Sequence, residues 1–197
     1  MTQPIGRGGD ARSSPPYPHL HSGPCLVVGS AECLPDDLAR ALALFPNAPR
    51  LAVNAAAGEV RAIGLFSCHP ERFVTLRWIE RQRARFGLGF TVHATRGLRS
   101  PDQPCPWVDY WWPKATGSGG SAWGARKVAG FMGFKPVILV GCPLTVGPYV
   151  NGSNIGGMMH LPNVVDDMLA GIAVDTEWHD GAYSMSGRTK GILGEPC

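Results

Sequence analysis

Gly117-Ser118-Gly119-Gly120-Ser121-Ala122 runs into residues 123–133, which end on Gly133, and then into Pro136-Val137-Ile138-Leu139-Val140-Gly141. The order reads as loop, helix, buried strand. A glycine-rich loop that opens a helix presents backbone N–H groups and the positive end of the helix dipole, a combination that favours phosphate or another anion. The same alternation occurs upstream. Cys25-Leu26-Val27-Val28-Gly29 is a short continuous apolar run, as expected of a strand buried on both faces, and Ser30-Ala31-Glu32-Cys33 turns the chain. Pro35 then falls in the first turn of a helix, Asp36 and Asp37 place negative charge near its start, and Leu34, Leu38, Leu42 and Phe45 keep helical spacing.

Leu51-Ala52-Val53-Asn54 and residues 62–68 read as the next two strands. Residues 71–86 read as an amphipathic helix with a basic outer face that ends at Gly87 and Gly89. Phe90-Thr91-Val92-His93 is a fourth strand, and Val108-Asp109-Tyr110-Trp111-Trp112 a short fifth. Strands separated by helices imply right-handed crossovers and a mostly parallel sheet. The expected class is α/β, a Rossmann-like three-layer sandwich.

The chain has 197 residues, room for one domain with a real core. Residues 1–23 carry little apolar surface and read as a flexible N-terminal arm able to dock on a protein partner; residues 24–197 read as the single domain. Within it, residues 145–162 are rich in Gly and Asn and lack periodicity, which suits a lid over the sheet edge. Net charge is only +3, so the electrostatic footprint of a duplex-binding protein is missing and nucleic acid is not the expected partner. Six cysteines occur without a C-x-x-C pair, and no apolar stretch is long enough to span a bilayer or to serve as a signal peptide, so the expected location is cytoplasmic. No H-x-x-x-H or D-x-D pattern appears, and no metal or cofactor is expected.

In an open parallel sheet the ligand sits beyond the carboxyl ends of the strands, where the strand order reverses. The residues there are Gly29-Ser30-Ala31, Asn54-Ala55, Cys68-His69, His93-Ala94-Thr95 and Gly141-Cys142-Pro143. His69-Pro70-Glu71 ends a strand and opens a helix, so it is either an imidazole facing a ligand or a turn with Pro at the first helical position. Asn54 either contacts a ligand through its amide or caps the following helix. Trp107, Trp111 and Trp112 form an aromatic knot suited to stacking on a base or to core packing, and Trp178, Tyr183 and Met185 would anchor the tail to the core.

These strand ends carry a resemblance. Val28-Gly29-Ser30-Ala31-Glu32-Cys33, Ala52-Val53-Asn54-Ala55, Gly119-Gly120-Ser121-Ala122 and Val137-Ile138-Leu139-Val140-Gly141-Cys142-Pro143-Leu144 resemble the motility-accessory-factor and 6-hydroxymethylpterin diphosphokinase-like proteins. More distantly the chain is similar to the bacterial sialyltransferases of glycosyltransferase family 42. Proteins of this kind also occur in phages and prophages, which would place the chain in a host cytoplasm or a virion. Ser184-Met185-Ser186-Gly187 looks like the short Ser-rich closing motif of the first group. The first loop departs from the usual Gly-x-Gly-Pro-Ser: Glu32 stands where a phosphate would approach, and would either repel it or bind a sugar hydroxyl.

The resemblance implies a nucleotide-sugar-binding, glycosyltransferase-like protein, metal-independent, with a cytidine or uridine nucleotide sugar as substrate. Gly29, Ser30, Ala31 and Asn54 would hold the nucleotide from one side, and Gly119, Gly120 and Ser121 from the other. Tyr149 and His160 would occupy the active-site loop after the last strand, with His160 as general base and His69 as the other candidate. Pterin diphosphate transfer would need a magnesium-binding carboxylate pair, which is not found. The competing expectation is a non-catalytic Rossmann-like phage or prophage protein with a degenerate pocket, acting as a structural or interaction part, with a homo-oligomer as one form of it.

Overall fold

The computed structural model describes residues 20–87, 89–95, 105–115, 119–148, 150 and 162–197. Within these residues seven parallel strands form one sheet: β1 (Cys25–Val28), β2 (Arg50–Val53), β3 (Gly64–Ser67), β4 (Thr91–Ala94), β5 (Tyr110–Trp111), β6 (Val137–Val140) and β7 (Ala182–Ser184). Among the described residues five helices accompany them: α1 (Leu34–Leu44), α2 (Phe73–Phe86), α3 (Gly120–Phe131), α4 (Pro162–Val174) and α5 (Gly187–Leu193). A 3₁₀ segment, Asn54–Gly58, follows β2. The strand order is β5-β4-β3-β2-β1-β6-β7.

The sheet grows outward from β1 in one direction as far as β5, then returns to add β6 on β1's other side. That reversal between β1 and β6 is the switch point of a Rossmann-like fold. Each central strand is buried on both faces, and its alternation sorts side chains into two cores. Leu26, Val28, Leu65 and Ile138 pack with Leu34 and Ala41 of α1 and Ile79 of α2. Cys25, Val27, Leu51, Phe66 and Leu139 pack with Ala125, Val128 and Ala129 of α3. Gly124 sets the approach of α3, because a Cβ there would lie 2.8 Å from the Phe66 ring. A third cluster joins Trp123 of α3 to Val165, Leu169 and Ile172 of α4.

The elements expected from the sequence are present with small shifts at their ends. The third strand is shorter than residues 62–68, and the fifth keeps only Tyr110 and Trp111. β7 and α5 were not anticipated. The tail they form is anchored as expected, with Met185 buried against the first core and Tyr183 packed on it. Asp37 lies in the first turn of α1 as expected, and it is also 2% exposed, its carboxylate a structural hub. The aromatic knot resolves into core packing: Trp112 is buried, and Trp107 donates its Nε1–H to the Pro70 carbonyl.

At the other edge of the sheet, the His21 amide donates to the Met132 carbonyl, and its ring stacks on Phe134. The described chain therefore begins at the amino ends of the strands. No helix among the described residues is long and apolar enough to cross a membrane.

Candidate functional site

A cleft of about 680 Å³ opens at the carboxyl ends of the strands, over the β1/β6 switch point. From the loop after β1 it takes Gly29, Ser30, Ala31, Glu32 and Cys33, with Asp36 beyond them; from the end of β2, Asn54 and Ala55; from the end of β3, His69 and Arg72. The start of α3 contributes Gly119, Gly120, Ser121 and Ala122, and the segment after β6 contributes Gly141 to Pro148. Ser186 and Gly187, where β7 passes into α5, complete it. Residues spread over most of the sequence meet here because parallel strands deliver all their carboxyl ends to one edge. The volume is that of a small-molecule pocket.

Of the residues expected to form a site, Gly29, Ser30, Ala31, Asn54, His69, Gly119, Gly120 and Ser121 all line this cleft. Tyr149 and His160, and with them most of the segment read as a lid, lie outside the described residues, as do residues 1–19 of the arm. His93 does not reach the cleft. It is fully buried in β4 and is a core histidine.

The two glycine positions have different causes. Gly29 and Gly141 face each other across the switch point: a Cβ on Gly29 would lie 2.5 Å from both Cys142 Sγ and the Gly141 oxygen. Close contact between two strand ends thus requires glycine at Gly29 whether or not a ligand binds. Gly120 has φ +71°, and it opens α3 beside Met168. Gly119, at the N-cap, offers no side chain to cap the first turn. Asn54 also takes a left-handed backbone, with φ 51°, at the lip of the cleft. Asn is among the few non-glycine residues that adopt this conformation readily.

The loop after β1 is not an open anion cradle. The Ala31 amide donates to the Gly141 carbonyl, Glu32 to Pro148 and Leu34 to Ala31. The first turn of α5 is similarly engaged, as Arg188 and Thr189 donate to the Pro143 carbonyl. On the β3 side, the His69 amide is held by Ser67 Oγ at 3.1 Å, and its ring Nδ1 lies 3.5 Å from Glu71 Oε1. Burial raises the pKa of the Cys68 thiol, which is hydrogen-bonded to Ser121.

Beneath the α1 side lies a polar cluster that sequence reasoning missed. Asp37 Oδ2 accepts the Gly141 amide at 3.0 Å and the Ser186 hydroxyl at 2.5 Å. Asp37 Oδ1 accepts Arg40 Nη2 at 2.9 Å, and the same nitrogen donates to the Met185 carbonyl at 2.6 Å. Cys33 Sγ lies 3.5 Å from Asp37 Oδ2 and 3.4 Å from Ser186 Oγ. Burial raises the Cys33 pKa and the Asp37 charge adds to the effect, so the sulfur remains a thiol. The only signal in the sequence was the closing motif around Ser186, which did not indicate its partner.

A second buried polar group lies away from the cleft. Arg126, 5% exposed, donates to the Asp180 carbonyl and sits over the Trp123 and Trp178 rings at 5.8 and 5.3 Å. Burial lowers its pKa to about 10. Lys127 pairs with Asp175, which also accepts Trp123 Nε1 at 2.8 Å. These contacts clamp α3 to the segment after α4. Arg188 and Lys190 are ion-paired with Asp166 and Glu195 at the surface. Among the described residues, no group of three or more His, Cys, Asp or Glu side chains could hold a metal ion.

No protein-family model matches the chain. No curated protein matches it either. Among solved structures it is similar to the MAf glycosyltransferase from Magnetospirillum magneticum AMB-1, with 12% identity and a TM-score of 0.45. The similarity covers 78% of this chain and 26% of that one, so the chain spans about a quarter of its neighbour's length. A likeness this loose says nothing about chemistry.

Proposed function

We propose that the cleft binds a nucleotide sugar and that the chain is a metal-independent, glycosyltransferase-like protein of the sialyltransferase-like kind, using a cytidine or uridine nucleotide sugar. One observation carries this reading: the ends of β1, β2 and β3 and the glycine-rich start of α3 line a single cleft at the switch point. The phosphate would lie against the start of α3, within reach of Arg72 and His69. In a direct displacement, the acceptor oxygen bonds to the anomeric carbon as that carbon's bond to the phosphate oxygen breaks. The acceptor proton passes to a base, and the nucleotide leaves with the electron pair. Among the described residues His69 suits the base; His160 and Tyr149 remain candidates for the same step.

Calorimetric titration with CMP, UMP, CDP and UDP tests the reading. Saturable binding is expected with one base preferred, and replacing Gly120 with Val should abolish it. Absence of heat at about 1 mM ligand, a weak affinity on the usual scale, would overturn it.

A second reading is favoured by the loop after β1, where three amides already donate to protein carbonyls while Glu32 and Asp36 add negative charge. On that reading the pocket is degenerate and the chain is a structural or interaction part, of the kind found in phages. Light scattering separates the two. An assembling chain indifferent to nucleotides supports the second, and a strict monomer that binds them counts against it.

A further inference from the structure

The two long walls of the cleft differ in hydrogen-bonding character. The α3 wall is lined by the first turn of α3 and by Arg72, His69 and Asn54; its backbone amides and guanidinium can only donate, while Asn54 and the Ser121 hydroxyl can also accept. The opposite wall, built from α1 and the start of α5, offers the Glu32 and Asp36 carboxylates and the Ser186 hydroxyl. A serine normally both donates and accepts. Ser186 cannot do both. Its proton is directed 2.5 Å into Asp37 Oδ2, and Asp37 is fixed as an acceptor by the Gly141 amide on the same oxygen and by Arg40 on the other. What Ser186 can present to the cleft is a lone pair. On the same wall the Ala31, Glu32, Leu34, Arg188 and Thr189 amides already donate to protein carbonyls.

We propose that Ser186, locked as an acceptor by Asp37, is a specificity-determining residue: with Glu32 it makes the α1/α5 wall select the hydroxyl or amino groups of the ligand and exclude phosphate. Asp37 is the positioning residue behind it. The proposal rests on the reading of the cleft as a ligand site and adds an orientation to it. The anionic part of the ligand lies along α3, and its hydrogen-bond-donating part, a sugar ring or the exocyclic amine of a base, lies against α1 and α5. A phosphate oxygen on the α1/α5 wall would meet the Glu32 and Asp36 carboxylates and the Ser186 lone pair.

Amide NMR of the full chain, titrated separately with inorganic phosphate and with the neutral nucleoside cytidine, tests this. Phosphate should shift the amides of Gly119, Gly120 and Ser121 and leave those of Glu32 and Ser186 unmoved, and cytidine should shift Glu32 and Ser186. Ser186→Ala should weaken cytidine about fivefold, one hydrogen bond's worth, without changing phosphate, and Ser186→Thr should restore it. Asp37→Ala removes the acceptor, frees the Ser186 proton and should let phosphate shift the Ser186 amide, a gain that mere loss of structure would not produce. The wall assignment is overturned if phosphate shifts Glu32 or Ser186 in the unaltered chain, or if Ser186→Ala leaves cytidine unaffected. Phosphate shifts on α3 with no cytidine shift at the other wall contradict that assignment alone. No shift with either probe removes the cleft as a ligand site as well.

Discussion

His93 shows how two partners fix the state of one side chain. Its ring is fully buried between Trp112, whose Nε1–H donates to Nδ1 at 3.0 Å, and Thr91 Oγ1, 2.7 Å from Nε2. Indole nitrogen can only donate, so Nδ1 must accept and the single imidazole proton sits on Nε2, donating to Thr91. A second proton would set two donors against each other. Burial, with a smaller contribution from His21, lowers the pKa to about 3. The unfolded chain therefore takes up this proton first, near pH 6.5. The stability that neutral His93 contributes is complete above that pH and is lost as pH falls towards 3. Urea titrations across that window should show stability falling by on the order of a few kcal/mol, and His93→Gln should flatten the dependence. An unchanged slope in the variant would place the acid-sensitive group elsewhere. The sequence marked His93 as a strand-end histidine but could not show the indole above it, 19 residues away. The further role of Asp37 was hidden for the same reason. Its decisive partners, Gly141 and Ser186, lie 104 and 149 residues distant, and only tertiary structure brings them together.

Elements were legible where burial leaves a simple pattern. β1 and β6 are buried on both faces and read as unbroken apolar runs, and α1 announced itself by Pro35 and the spacing of its leucines. β7 and α5 were not legible. Ala182-Tyr183-Ser184 is three residues long with a buried hydroxyl, and that hydroxyl is satisfied by its 2.8 Å bond to Thr189 and its 3.2 Å bond to the Ser186 carbonyl. α5 carries Gly191 in its middle and no strong apolar stripe. The contact between strand ends at the switch point gives a prediction at this scale. Gly29→Ala forces a Cβ to 2.5 Å from Cys142 Sγ and the Gly141 oxygen, and should cost about 2–4 kcal/mol in denaturant unfolding. Gly191→Ala, with nothing within 4 Å of the added carbon, should stabilise by about 0.5–1 kcal/mol. Equal effects at the two sites would contradict the close packing of β1 against β6.

For the molecule as a whole, the strand order places the cleft. Because β6 adds on the far side of β1, the connections that follow β1 and β6 diverge and leave a crevice between them. The sequence predicted which residues would gather there, since a parallel sheet sends each strand's last residue to the same edge. It gave no indication that the amides after β1 would be taken by Gly141 and Pro148, which shifts the expected anion position from that loop to the start of α3. The central claim is that a nucleotide sugar binds in this cleft with its phosphate on α3. A crystal structure of the chain soaked with CMP tests it most directly. Density is expected in the cleft with phosphate oxygens within hydrogen-bonding distance of the Gly120 and Ser121 amides and the nucleoside towards Glu32 and Ser186. Density with the phosphate against Glu32, or an empty cleft at saturating CMP, would contradict it.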